Sequence, residues 1–301
     1  MTYHDRTAEV CGIVTEQLPG YPVGTVALLG EGADNVAYEV NGELIVRFAK
    51  EPDPGARIKR VNAEAGLLAV VADVSPVPVP TPAFTVAEQG CLAYHKLDGR
   101  PLIGLPIAQR VASGIVVAAA LGEFLAALHS VPTDRIAELV GVDDEPLQRW
   151  LDEAAELYAD VAPLVPPTYR PAVEAFLDAP PPADGTHTLA FSHNDLGIEH
   201  VLVDDTGSAV TGVIDWSDAA LCDPAYDFGL LYRDLGPDAL HAALRGYRTE
   251  AATARDLSGR AAFYARCSVL EDMAYGIEQG RREYLDKSLA ALVWLFPGAE
   301  P

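Results

Sequence analysis

The stretch Leu189–Phe228, LAFSHNDLGIEHVLVDDTGSAVTGVIDWSDAALCDPAYDF, decides the fold. Two apolar runs lie inside it, HVLVD (200–204) and VTGVIDW (210–216), joined by a polar turn. Rich in β-branched residues, they read as the two strands of a hairpin. Asp195 precedes the first run and Asp215 ends the second, so pairing the strands carries both aspartates to one edge. Phosphoryl transfer asks for such a pair. One carboxylate must orient the nucleophilic hydroxyl and accept its proton, and a second must hold Mg2+ against the nucleotide phosphates. Loops at strand ends hold such groups tightly.

Upstream of this stretch the chain changes character once. Residues 8–18 read as a short leading helix closed by the turn LPGYPVG. From Val26 to Phe48 the pattern is strand-like, and the Asn41-Gly42 pair between alternating apolar runs is a hairpin signal. Residues 57–72 place Ile58, Val61, Ala65 and Leu68 on one helical stripe. The proline run VSPVPVPTP leads into a second hairpin, FTVAEQGCLAYHKL. After LDGRP (97–101) helical segments dominate, at 105–131, 148–162, 169–179, 237–251 and 258–280. The expected architecture is α+β in two lobes: 1–97 a small antiparallel-sheet lobe that binds nucleotide, and 98–301 a mainly helical lobe. The helical lobe is expected to hold the catalytic loop, metal site and acceptor pocket, and no internal repeat is visible.

Composition narrows the partners. Half of the 301 residues are hydrophobic and 22% are charged, enough apolar material for a core. The net charge of −23 comes with no Lys/Arg cluster, so a nucleic-acid partner is not expected. An acidic surface favours solubility and a cationic ligand. Cys11, Cys91, Cys222 and Cys267 form no CxxC pair and are too scattered for a zinc site or a disulfide framework, which fits a reducing cytoplasm. The N-terminal MTYHDRTAEV lacks the order of a signal peptide. The uncharged run Val111–Gly122 is too short to span a membrane and reads as a buried helix. No long coiled coil or exposed apolar repeat argues for a stable assembly, so a monomer or weak dimer is expected.

HNDLGIEHVLVD followed by TGVIDWSDAALCDPAYDF resembles the catalytic and metal-binding region of the aminoglycoside and macrolide phosphotransferases. Their pattern is an H-x-D loop, an I-D-W/F magnesium loop and a D-P-x-x-D run. GEGADNVAYEVNGELIVRF is similar to that family's nucleotide loop and first hairpin, and LGEFLAALHSV to its long helix after the hinge. LEDMAYGIEQGRREYLDKSL resembles the C-terminal helices of the aminoglycoside 2''-phosphotransferase branch, whose motifs are closest. The resemblance runs from about Gly30 to Leu289 and implies a protein-kinase-like fold.

Carried over by position, it implies Asp195 as catalytic base, His193 as support of its loop, and Asp215 as the main Mg2+ ligand. His200 stands where many relatives have an asparagine as second metal ligand, and imidazole is softer than the amide oxygen that Mg2+ prefers. Asp223 and Asp227 match the D-P-x-x-D run and are expected to be structural. On the nucleotide side, ATP or GTP would meet Gly30 and Gly32, the cation Arg47 with its partner Glu64, and the hinge around Tyr94 and Lys96. A lone G-x-G is by itself an ordinary turn; its position between strands, ahead of a cation on the next strand, gives it value. Lys50 is the fallback cation.

For the acceptor, a polycation would need acids, and the candidates are Asp218, Asp234, Glu271, Asp272 and Glu278, with ordinary solvated helix charges as the plainer reading. Arg233 stands where the closest branch often carries an acid, which weighs against a polycation. A macrolide, with one amino sugar and a large apolar ring, would need an apolar wall such as Trp216, Tyr232, Phe263, Tyr264, Met273 and Tyr275, unless these pack the core. The expected reaction is transfer of a γ-phosphate to a hydroxyl of an aminoglycoside, with a macrolide or a metabolic small alcohol as alternatives. A different chemistry, a two-histidine, one-carboxylate iron site from His193, Asp195 and His241, would need many short alternating strands and leaves Asp215 unexplained. A nucleotide-binding pseudoenzyme is opposed by the presence of both Asp195 and Asp215.

Overall fold

The computed structural model describes residues 6–32, 34–182 and 188–297. The chain divides into two compact units, Met1–Val74 with Pro78–Leu97 and Ser75–Val77 with Asp98–Pro301. Ala33, inside the expected nucleotide loop, and the first five residues of MTYHDRTAEV lie outside the described residues.

The first unit begins with helix α1 (Thr7–Gln17), then β1 (Val26–Glu31), β2 (Asn35–Val40) and β3 (Leu44–Ala49). Helix α2 (Pro54–Val74) follows, then β4 (Pro82–Val86) and β5 (Cys91–His95). The strands form one antiparallel sheet in the order β1-β2-β3-β5-β4. Asn41 and Gly42 both take positive φ, 54° and 76°, the left-handed conformation that lets a tight turn match strand twist. The Asn41 side chain ties this turn to the incoming chain, accepting from the N–H groups of Gly24 and Thr25 at 2.9 Å each. Alternate residues of β2 and β3, Val36, Tyr38 and Val40 with Leu44, Val46 and Phe48, bury one face against Val10, Ile13 and Val14 of α1.

The second unit runs β6 (Arg100–Pro101), α3 (Ile107–His129), α4 (Thr133–Ile136), β7 (Gly141–Asp143), α5 (Leu147–Val161) and α6 (Arg170–Leu177). It continues with β8 (Ala190–Ser192), β9 (Val201–Val203), β10 (Val210–Val213) and β11 (Ala220–Cys222). Four helices close it: α7 (Ala225–Leu235), α8 (Pro237–Tyr247), α9 (Ala251–Glu278) and α10 (Arg282–Leu295). Two three-stranded sheets, β10-β9-β6 and β7-β11-β8, carry the loops that matter below. Helix α3 contains the apolar run noted above and is, by length and mean hydropathy (2.1), the one described helix that could cross a membrane; half of that window is buried inside the protein. It is buried partly against α8 through glycines. A Cβ at Gly122 would lie 2.0 Å from the Ala243 carbonyl oxygen, and one at Gly246 2.5 Å from that of Ala119. The fold class is thus the expected one, an antiparallel-sheet N-terminal part and a helical C-terminal part. The four cysteines are free thiols.

Candidate active site

The hairpin β9–β10 pairs Val203 with Val210, Leu202 with Gly212 and Val201 with Val213. One further bond, from the Ile214 N–H to the His200 carbonyl (2.9 Å), extends it to the residue before Asp215. The loop carrying Asp195 is then fastened from below. The Asp227 carboxylate, fully buried in the first turn of α7, accepts from the backbone N–H groups of His193 (3.0 Å) and Asn194 (2.9 Å). Asn194 holds a positive φ of 62° that those bonds stabilise, and its amide donates to Asp143 (3.0 Å) at the end of β7. Asp223 sits one turn earlier and is clamped by Arg260 through two bonds, 2.7 and 3.1 Å. Both aspartates of the D-P-x-x-D run are therefore occupied inside the protein.

His193 is buried, and its Nε2 lies 3.1 Å from the Ile214 carbonyl. A carbonyl only accepts, so the proton sits on Nε2, and burial depresses the imidazole pKa and keeps it neutral. Its ring packs on Trp216, 4.6 Å between centroids. Asp195, 39% exposed at its side chain, meets His200 Nε2 at 3.0 Å. Burial alone would depress His200. The hydrogen bond and charge of Asp195, with Glu199 and Asp215 nearby, overcome it and raise its pKa to about 9. Asp215 also adopts positive φ (61°) and accepts from the Ser217 hydroxyl at 3.0 Å. The carboxylates of Asp195 and Glu199 and the His200 ring place ligand atoms within 4.8 Å of one another, a donor set able to hold a dication once His200 gives up its proton.

A shallow cleft opens beside Asn194, lined by Asp143, Asp144, Glu145, Trp150, Asp223, Tyr226 and Tyr264. The Tyr226 hydroxyl is raised well above its ordinary pKa, first by burial and then by the Glu271 and Asp195 carboxylates nearby. Sequence reading missed Asp143–Glu145, Trp150 and Tyr226. The signal was present as three consecutive acids just ahead of a helix, but only the parallel pairing of β7 with β11 brings them to the catalytic loop.

The expected acceptor acids scatter. Asp218, Glu271 and Glu278 are exposed. Asp234 and Asp272 are instead buried in an ion-pair network, away from the cleft beside Asn194. Asp234, 1% exposed at its side chain, accepts from Arg233 at 2.8 and 3.0 Å, from Lys287 at 3.1 Å and from the Ile198 N–H at 3.1 Å. Asp272 lies 2.8 Å from Lys287 and 3.3 Å from Arg233, and Glu199 3.1 Å from Lys287. Burial would raise Asp234, but the two cations and the Ile198 N–H hold it far below the ordinary carboxylate range. Arg233 is thus an internal ion-pair partner rather than a cleft residue. Of the expected aromatic wall, Trp216, Phe263 and Met273 are buried in the core, and Tyr264 lines the acidic cleft. Tyr275 is 41% exposed, and the half-buried Tyr232 donates its hydroxyl to the Trp294 carbonyl at 3.0 Å. His241 is exposed on α8 and outside the donor set, so the iron reading loses its second histidine.

In the first unit Arg47 on β3 and Glu64 on α2 form an ion pair at 2.9 Å, both nearly buried. A Cβ at Gly30 or Gly32 would meet nothing within 4 Å, so the fold itself does not demand glycine there. Lys50 pairs with Glu31 and donates to the Gly32 carbonyl at 2.7 Å. Tyr94 is half-buried in β5, opposite Ile45. The Lys96 N–H donates to the Glu43 carbonyl (2.8 Å), and its ammonium pairs with Glu39.

A sheet-based unit with a cation–glutamate pair, joined to a helical unit with an H-x-D loop beside a strand-end aspartate, defines the class of kinase-like phosphotransferases. The chain belongs to the phosphotransferase enzyme family (APH), whose model matches residues 25–264. It is similar to viomycin phosphotransferase of Streptomyces vinaceus, 26% identical over 92% of this chain and 96% of that protein. Among solved structures, it resembles the GDP and kanamycin complex of an aminoglycoside 2''-phosphotransferase: TM-score 0.66, 23% identity, 95% of this chain and 97% of that one. It also resembles the macrolide 2'-phosphotransferase MphH of Brachybacterium faecium: TM-score 0.59, 22% identity, 97% and 99% covered. At these identities the structural likenesses speak for the fold.

Proposed function

We propose that this phosphotransferase moves the γ-phosphoryl group of ATP or GTP to a hydroxyl of a small cationic antibiotic, an aminoglycoside in the first instance. The observation that carries the reading is an acidic, aromatic-lined cleft at Asn194, the residue next to Asp195 in the H-x-D loop. In this reading Asp195 orients the acceptor hydroxyl and takes its proton, releasing His200 as it does so. Asp227 keeps the loop in place, and neutral His193 braces it against β10 through Ile214. Asp215, with His200 once deprotonated, would hold Mg2+, which when bound would neutralise charge on the transferring phosphates. The first unit is assigned to the nucleotide: Arg47, oriented by Glu64, on the phosphates, and the open backbone at Gly30 and Gly32 as the surface they approach. Acids Asp144 and Glu145 would meet ammonium groups of the acceptor, and Trp150, Tyr226 and Tyr264 the faces of its rings. A cytoplasmic monomer or weak dimer fits this role.

A macrolide is the second reading, favoured by the same three aromatic rings. A phosphorylation screen with ATP and GTP against kanamycin, viomycin, a macrolide and a simple amino alcohol tests both. Transfer to the cationic antibiotics is expected to exceed transfer to the macrolide. Turnover confined to the amino alcohol would replace the antibiotic reading with a metabolic one, and no turnover with any acceptor would defeat it.

A further inference from the structure

A second cleft opens in the C-terminal unit where α3, α7 and α10 meet. It is a shallow groove open to solvent, lined by Ile107, Arg110, Val111, Asp234, Leu235, Lys287, Ala290 and Trp294. Its rim is apolar: Ile107 and Val111 are 47% and 64% exposed. At its floor the Asp234–Lys287 pair is saturated by the partners described above.

Arg110 differs from the other charges there. It is 8% exposed, yet among the described residues no acceptor lies within hydrogen-bond or ion-pair distance of its guanidinium. Its nitrogens are not among the sealed, partnerless atoms of the core, so they open onto the cleft they line. Burial weakens its hold on its proton, while the charges of Asp234 and Asp286 act on it from beyond contact. The neighbouring network sets two cations, Arg233 and Lys287, against three carboxylates, Asp234, Asp272 and Glu199. Arg110 therefore balances charge at a distance, and its N–H donors face the cleft. A planar fork of donors at the end of an apolar slot matches a carboxylate on an apolar body.

We propose that this cleft is a ligand site, separate from the acid-lined cleft, for a small carboxylate carrying one ring or a short aliphatic chain. The carboxylate pairs with Arg110, and the apolar body lies between Ile107 and Val111 on one side and Ala290 and Trp294 on the other. The occupant then sits on the Asp234–Lys287 pair, whose other bonds reach Ile198 and Glu199 in the catalytic loop.

Calorimetric titration of the full-length protein with benzoate, benzamide and inorganic phosphate tests this without recourse to turnover. Benzoate is expected to bind at least about tenfold more tightly than neutral benzamide or phosphate, the loss of one charge-assisted pair or of the apolar contact. Arg110→Gln and Val111→Trp should each weaken benzoate by at least about tenfold. Val111 is exposed, so Val111→Trp blocks the mouth without burdening the fold and decides the matter if Arg110→Gln does not fold. Equal binding of benzoate and benzamide, equal binding of phosphate, or benzoate binding that survives Val111→Trp would overturn the proposal.

Discussion

Asp195 and Asp234 each meet a cation at hydrogen-bond distance, His200 at 3.0 Å and Arg233 at 2.8 Å, under the same loop. Their side chains are 39% and 1% exposed. Asp195 has one such partner and a face toward solvent, so a substrate hydroxyl can compete for it. Asp234 has both oxygens filled by Arg233, Lys287 and a backbone N–H, and no substrate can displace them. Identical side chains divide into one left open to a ligand and one that fixes shape, and the division follows from partners and burial.

The comparison can be broken most strongly at Asp195. Asp195→Ala is expected to lower turnover about 10³-fold, the scale of a lost general base, with a melting temperature within a few degrees of wild type. A coupled assay of nucleoside diphosphate release and a thermal melt check the two halves. Lys287→Met should behave oppositely. It leaves three carboxylates facing Arg233 alone and is expected to cost about 3–5 kcal/mol of stability in urea unfolding. A loss under 1 kcal/mol would show that the network is not sealed.

His200 sharpens the contrast through pH. Its folded pKa stands above its unfolded value, so the pair stabilises fully below about pH 6.5 and fades as pH rises through about 9. In metal-free protein, stability should fall by about 1–2 kcal/mol across that window, less than the full shift would give because Asp195 is partly exposed. His200→Asn should flatten the curve. The smallest effect is expected at Asp144, exposed on the rim of the acidic cleft. Asp144→Asn should raise KM for a cationic acceptor about two- to fivefold with kcat little changed.

Much of this molecule can be read from its sequence because the decisive signals are local. Asn41-Gly42 sets a turn by its own backbone preference, and HVLVD and VTGVI are apolar runs with a short polar turn between them, so their pairing follows, though not the register shift between Val210 and Gly212. The burial of Asp234 and Asp272 is not legible because a helix acid looks the same in one dimension whether it faces water or buried cations. The partner that settles the matter for both, Lys287, is on α10, far along the chain from Asp234. Trp150 and Tyr226 join the acidic cleft only through the placement of α5 and α7, and Arg110 looks like an ordinary helix cation until its neighbours are seen.

The strand that ends at Asp143 is three residues long and is held by a single parallel ladder to β11. Asp143 is anchored through Asn194, but the exposed residues between it and α5 bear on little else in the fold. Such a connection tolerates replacement and changes of length. In the proposed reading, acceptor preference can thus be retuned at a few surface positions without disturbing the loop that carries Asp195.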